Sequence, residues 1–109
     1  MLEPLLGSKN AERVLLFLLA RKEGYSREIM RFFGGDPDSI HKQLVKFEAG
    51  GVLASRKAGR THLYSFNPRY PFLKELKALL EKALTFYPQD EKERLLMNRR
   101  RPRRSGKPL

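Results

Sequence analysis

Ser39, His41, Lys42, Gln43 and Lys46 fall within eight residues, and Arg56, Lys57, Arg60, Thr61 and His62 follow within the next sixteen. These side chains donate hydrogen bonds and carry positive charge; none is an activated nucleophile. Lysine offers a compact point charge and arginine a planar fork, and both suit oxyanions. Gln, Ser, Thr and His add directional hydrogen bonds to polar edges. The chemistry implied is recognition of a polyanion. Catalysis is not expected. There is no cysteine, no glycine-rich loop opening a helix after a strand, and no pair of acids with a candidate base. His41 and His62 are the only histidines. Without acids placed beside them they do not make a metal site, and no cofactor is expected.

The elements that must position these residues can be read from periodicity and breakers. Ala11, Val14, Leu15, Leu18 and Leu19 recur at helical spacing, with Ser8 or Asn10 as a possible cap and Gly24 as the stop. Leu16 and Phe17 widen the stripe, as a central core helix or a dimer contact would require. A short second helix is expected over roughly Arg27 to Phe33, capped by Ser26, with Tyr25 and Met30 as a hydrophobic staple. Gly34 and Gly35 then break the chain. Asp36 caps a third helix and Pro37 opens it, where the missing N–H costs nothing. Ile40, Leu44 and Phe47 share its inner face, so Lys42 and Gln43 point outward; Gly50 and Gly51 end it. Two strands follow, Val52–Leu53 onward and Leu63 to Phe66, split by the turn "RKAGR", with Gly59 suited to a positive φ. A last helix spans about Pro71 to Phe86. Its apolar residues, Phe72, Leu73, Leu76, Leu79, Leu80, Ala83, Leu84 and Phe86, exceed the needs of one small core.

A chain of 109 residues fits one domain. Its formal charge is +11 and its pI near 10.4, which points to nucleic acid or an anionic surface. Residues 88–109 hold eight Lys/Arg against three acids, so the rest of the chain remains at +6 without them. That final segment is expected to be a basic, disordered tail, with one helical stretch near Glu91 to Asn98. No apolar run reaches the ~20 residues of a bilayer span, and no signal-peptide pattern opens the chain; a cytoplasmic location is expected.

Helix, short helix, helix, two-stranded hairpin, helix is the order of a winged helix-turn-helix: a mainly α fold with a small β-hairpin, here followed by a C-terminal helix and basic tail. A major groove about 12 Å wide admits one α-helix. The second helix braces the third, and the hairpin reaches toward neighbouring phosphates. Residues 1–87 would form this domain. The segment "SIHKQLVKFEAGGVLASRKAGRTHLY" resembles the reading helix and wing of ArsR-like winged-helix transcriptional regulators, through Leu44, Phe47, Gly51, Val52, Leu53, Gly59, Arg60 and Tyr64. The flanks "LLGSKNAERVLLFLL" and "NPRYPFLKELKALLEKAL" are similar to a small prokaryotic subgroup often associated with nucleotidyltransferase domains. The resemblance covers about residues 4 to 87. Metal-sensing members use cysteine-rich motifs, and with no cysteine here that role is not carried over. Asp36 and Asp38 put two acids at the start of the reading helix, and Gly50 stands where Ala is usual.

The expectation is a DNA-binding regulator, dimeric through the first and last helices. Ser39, His41, Lys42, Gln43, Lys46, Arg56, Lys57, Arg60, Thr61 and His62 would face double-stranded DNA. Leu16, Phe17, Phe72, Leu76, Leu79, Leu80 and Ala83 would form the homodimer contact. Two other readings stay open. One is a protein-interaction module partnered with a nucleotidyltransferase-type protein, which the resemblance implies and the apolar last helix fits. The other is an RNA-binding or architectural protein driven by the tail.

Overall fold

The most apolar stretch of the sequence lies at the centre of the molecule. The computed structural model describes residues 1–96; here α1 (Glu3–Leu6) is one turn, and α2 (Lys9–Arg21) is the helix around which the rest packs. Ser8 caps α2, its Oγ accepting from the Ala11 amide at 3.1 Å. Val14, Leu15, Leu16, Phe17 and Leu18 are all buried. Each such side chain contributes about 1.5–3 kcal/mol by leaving water. The wide stripe therefore marks a core helix. Leu16 and Phe17 are enclosed within their own chain and cannot serve as a dimer surface, contrary to the expectation from sequence.

α2 also ends earlier than its glycine implies. Lys22 takes the left-handed backbone at φ 75°, and its amide donates to the Leu18 carbonyl. Gly24 instead sits in a short strand, β1 (Glu23–Tyr25), paired with Tyr64. The glycine is needed there because a Cβ would lie 2.8 Å from the Phe17 ring. β1 turns the expected two-stranded hairpin into a three-stranded antiparallel sheet of order β1-β3-β2, where β2 is Leu53–Ala58 and β3 is Thr61–Phe66.

α3 (Ser26–Phe33) starts directly after β1. Tyr25, one residue ahead of the expected Ser26, holds the cap position, and its amide donates to Glu28 Oε1 at 3.3 Å. α4 (Pro37–Ala49) begins as its sequence dictates, with the Asp36 carboxylate accepting from the Asp38 amide at 3.2 Å. It ends in a paired closure: the Val52 amide donates to the Phe47 carbonyl and the Gly51 amide to the Glu48 carbonyl. Gly51 supplies the positive φ, 82°, that this exit requires. Ile40, Leu44 and Phe47 seat α4 on the core.

α5 (Leu73–Leu84) buries Leu80, Ala83 and Leu84. Leu80 and Ala83 thus join Leu16 and Phe17 as core rather than contact residues. The body does not stop at residue 87. α6 (Gln89–Leu96) packs back on the core through buried Leu95, inside the segment expected to be a free tail. Arg21 fastens it, donating through Nε to the Leu95 carbonyl and through a guanidinium nitrogen to the Arg94 carbonyl, both at 3.0 Å. Arg94 in turn lies over the Phe32 ring and donates to the Phe32 carbonyl. The expected helical stretch near Glu91 to Asn98 falls partly here; residues 97–109 lie outside the described residues.

One buried charge ties three segments together. Glu12 on α2 is 2% exposed. It accepts from the Met1 ammonium, from the Leu2 amide and from the Tyr87 hydroxyl. Burial alone would raise its pKa; the donors, Tyr87 first, outweigh it and hold the carboxyl below its ordinary value. Burial, then the bond to Glu12, pushes the Tyr87 hydroxyl far up.

Candidate nucleic-acid interface

α4 presents His41, Lys42, Val45 and Lys46 to solvent opposite its buried face. The five sequence candidates on this helix fare differently. His41 and Lys42 stand clear, with no partner among the described residues. Ser39 is partly buried and accepts from Asn10 Nδ2 at 2.6 Å, which ties α4 to α2. Lys46 is engaged within the chain: its Nζ donates to the Leu6 carbonyl at 3.1 Å and lies 4.8 Å from the Phe47 ring. It closes the end of α1. Gln43 is half-buried, and its Oε1 is sealed from solvent with no hydrogen-bond partner among the described residues.

The wing projects beside α4. β2 and β3 run in register from Leu53↔Phe66 to Ala58↔Thr61, closed by the two-residue turn Gly59-Arg60. Gly59 adopts φ 65°, as a two-residue hairpin turn with glycine first requires. Thr61 Oγ1 donates to the Ala58 carbonyl at 3.1 Å and so braces the turn. Arg56, Lys57, Arg60, Thr61 and His62 are all exposed. Arg56 is drawn to the exposed Glu23 of β1 at 3.5 Å, a surface pair worth ~0–1 kcal/mol and easily released. At the root, Ser55 Oγ donates to Glu48 Oε2 at 2.6 Å, joining the wing to the end of α4. Buried Tyr64 has its hydroxyl pKa raised by desolvation and by Glu48.

Between α3, the first turns of α4 and the wing lies an open groove of about 730 Å³. It gathers His41, Arg60, Thr61 and His62 from the sequence candidates. It also gathers Arg27 and Arg31 from α3, which sequence reasoning had passed over as part of a bracing helix. Their spacing of four puts both on one helix face, a signal that was present in "SREIMR". Asp38 and Glu28 line the same groove.

Among the described residues no three His, Asp or Glu side chains gather in a way that would hold a metal ion. No described helix is long and apolar enough to cross a membrane.

Comparison with solved structures shows the fold. The chain is similar to Lactococcus lactis ZitR, matching a double mutant in apo form with a TM-score of 0.54 and 23% identity over 78% of this chain and 73% of that one. A single mutant of the same protein matches at TM-score 0.54 and 24% identity over 79% of this chain and 66% of that one. The architecture is a winged helix. Neither a family model nor a curated protein matches the chain.

Proposed function

We propose that this chain is a DNA-binding transcriptional regulator that lays α4 in the major groove and sets its wing against the flanking backbone. One observation carries the reading: α4 leaves His41 and Lys42 bare beside an exposed hairpin bearing Arg56, Lys57 and Arg60. The fold shared with ZitR and the charge of +11 support it. Lys42, Lys57 and Arg60 supply phosphate contacts that set affinity, and His41 and Lys42 supply base preference. Gln43 reads a base only after its side chain rotates out of its present seat. Ser39 and Lys46, with partners inside the protein, position α4 rather than touch DNA.

The regulator acts as a homodimer through α5. Phe72, Leu76, Leu79 and Phe86 fall at spacings of four, three and seven, the pattern of a helix-pairing seam. Phe72, Leu79 and Phe86 are 61%, 37% and 68% exposed. Glu75 and Lys82 flank the seam, so two antiparallel copies would set Glu75 of each near Lys82 of the other. Two α4 helices would then meet successive major grooves about 34 Å apart on a palindromic site.

Selection of duplexes from a random pool, followed by a salt titration on the winner, tests the reading. Binding is expected to weaken with a log–log slope of about −0.9 per neutralised phosphate. Failure to bind any duplex overturns it. The exposed seam also favours a second reading, an adaptor for a nucleotidyltransferase-type protein. Light scattering separates the two: a symmetric dimer supports the regulator, and a monomer that gains solubility only with such a partner supports the adaptor.

A further inference from the structure

The groove between α3 and the wing has a property that α4 does not share. Three arginines line it from two separate elements: Arg27 and Arg31 from α3, and Arg60 from the turn of the wing. All three residues are exposed, and none has an ion-pair or hydrogen-bond partner among the described residues. The other arginines of the body are largely engaged. Arg13 lies over Phe33, Arg21 and Arg94 hold α6, and Arg56 meets Glu23. Cations with no carboxylate partner that converge on one groove repel each other, a cost that an anion placed among them removes.

The acids of the groove do not supply that anion. Glu28 is turned back to the Tyr25 amide. Asp38 lies in the first turn of α4, where its charge favours the positive end of the helix. His41 and His62 complete the polar lining, from α4 and β3 respectively.

The geometry points to a seat for one sugar–phosphate strand in this groove, with Arg27, Arg31 and Arg60 as its phosphate ligands. The inference rests on the DNA-binding reading above and adds α3 to the contact surface. If α4 occupies a major groove and the wing reaches past its edge, the strand bounding that groove must pass between them. The planar forks of three arginines then meet successive phosphate oxygens in bidentate fashion. These contacts carry no base information; they set register and affinity. Asp38 faces the same strand and weakens its hold, which limits non-specific binding.

The test is a salt titration of the full chain against a labelled random-sequence duplex of about two helical turns. The proteins compared are the wild type, the double variant Arg27→Ala/Arg31→Ala, Lys42→Ala and Asp38→Asn. Alanine at exposed helical positions preserves the fold, and thermal melts check this. The double variant is expected to lower the log–log slope by about 2, with base preference on a selected duplex unchanged. Asp38→Asn is expected to tighten binding several-fold. If the wild type binds, Lys42→Ala lowers the slope by about 1 and the double variant leaves it intact, the groove is not a strand seat and the α4 reading survives. If the wild type binds no duplex, both fall together.

Discussion

α4 and α5 are nearly equal in length and each buries one face against α2, yet their outer faces have opposite chemistry. α4 turns His41 and Lys42 outward beside the exposed Val45, while Lys46 is held against the Leu6 carbonyl. α5 turns out Leu79, continued by Phe72 and Phe86 at its ends, between Lys74, Lys77 and Lys82. The core asks the same of both helices, so packing does not explain the difference. A bare cationic face suits a polyanion that keeps its water nearby. A bare apolar face suits a protein surface that excludes water. The difference fits the two kinds of partner proposed above, duplex DNA for α4 and a second copy of the chain for α5.

The comparison can be broken from the inside first. Leu44→Ala removes a fully buried side chain from α4 and is expected to cost about 2–5 kcal/mol, read from denaturant unfolding. Val45→Ala, one residue on and exposed, should stay within about 0.5 kcal/mol. Equal costs would mean that α4 is not seated as described.

Next comes the buried carboxylate behind both helices. Glu12→Gln should destabilise by about 1–3 kcal/mol, through donors left with a poorer acceptor. Because the folded state holds this carboxyl below its unfolded value, its stabilisation is full above the ordinary carboxylate range of about 4.5 and fades as pH falls through the lowered value. The gap between wild type and Glu12→Gln should therefore be widest near neutral pH and close in acid. A gap that widens in acid would reverse the sign.

The outer faces should then separate cleanly. Leu79→Glu is expected to convert a dimer to monomer by light scattering while the melting temperature moves by only a few degrees, since the side chain is already exposed. Arg60→Ala is expected to leave the oligomeric state alone and lower the salt slope by about 1, with base preference kept. Deleting residues 97–109 removes six cations and should weaken DNA binding without abolishing it. Abolition would favour the tail-driven reading instead.

The elements with strong local signals were legible in the sequence. The Asp36-Pro37 start, the Gly50-Gly51 exit and the Gly59 turn are backbone requirements written in residue type. What escaped depends on contacts distant in sequence. β1 is three residues long with a glycine at its centre, and only pairing with β3 makes it a strand. Leu16 and Phe17 carry the same apolar signal whether a partner or the chain's own sheet and helices cover them. On α4, periodicity placed Lys42 outside but also turned Gln43 outward, where the structure half-buries it, and it could not show that Lys46 spends its charge on the Leu6 carbonyl or that Ser39 is taken by Asn10. Arg27 and Arg31 were visible as a pair, yet their meaning came only when the wing closed a groove over them.

β1 pairs only with Ser65, Tyr64 and Leu63, the half of β3 nearest its end. Upstream of Leu63, the flap has β2 alone for company. The protruding part is thus a cantilever with its fulcrum at Leu63. Amides of residues 63–66 should exchange with deuterium slowly and those near the tip quickly. On the DNA-binding reading proposed above, that gives an anchored hinge line from which Lys57 and Arg60 would adapt to backbones of varying width without loosening α2.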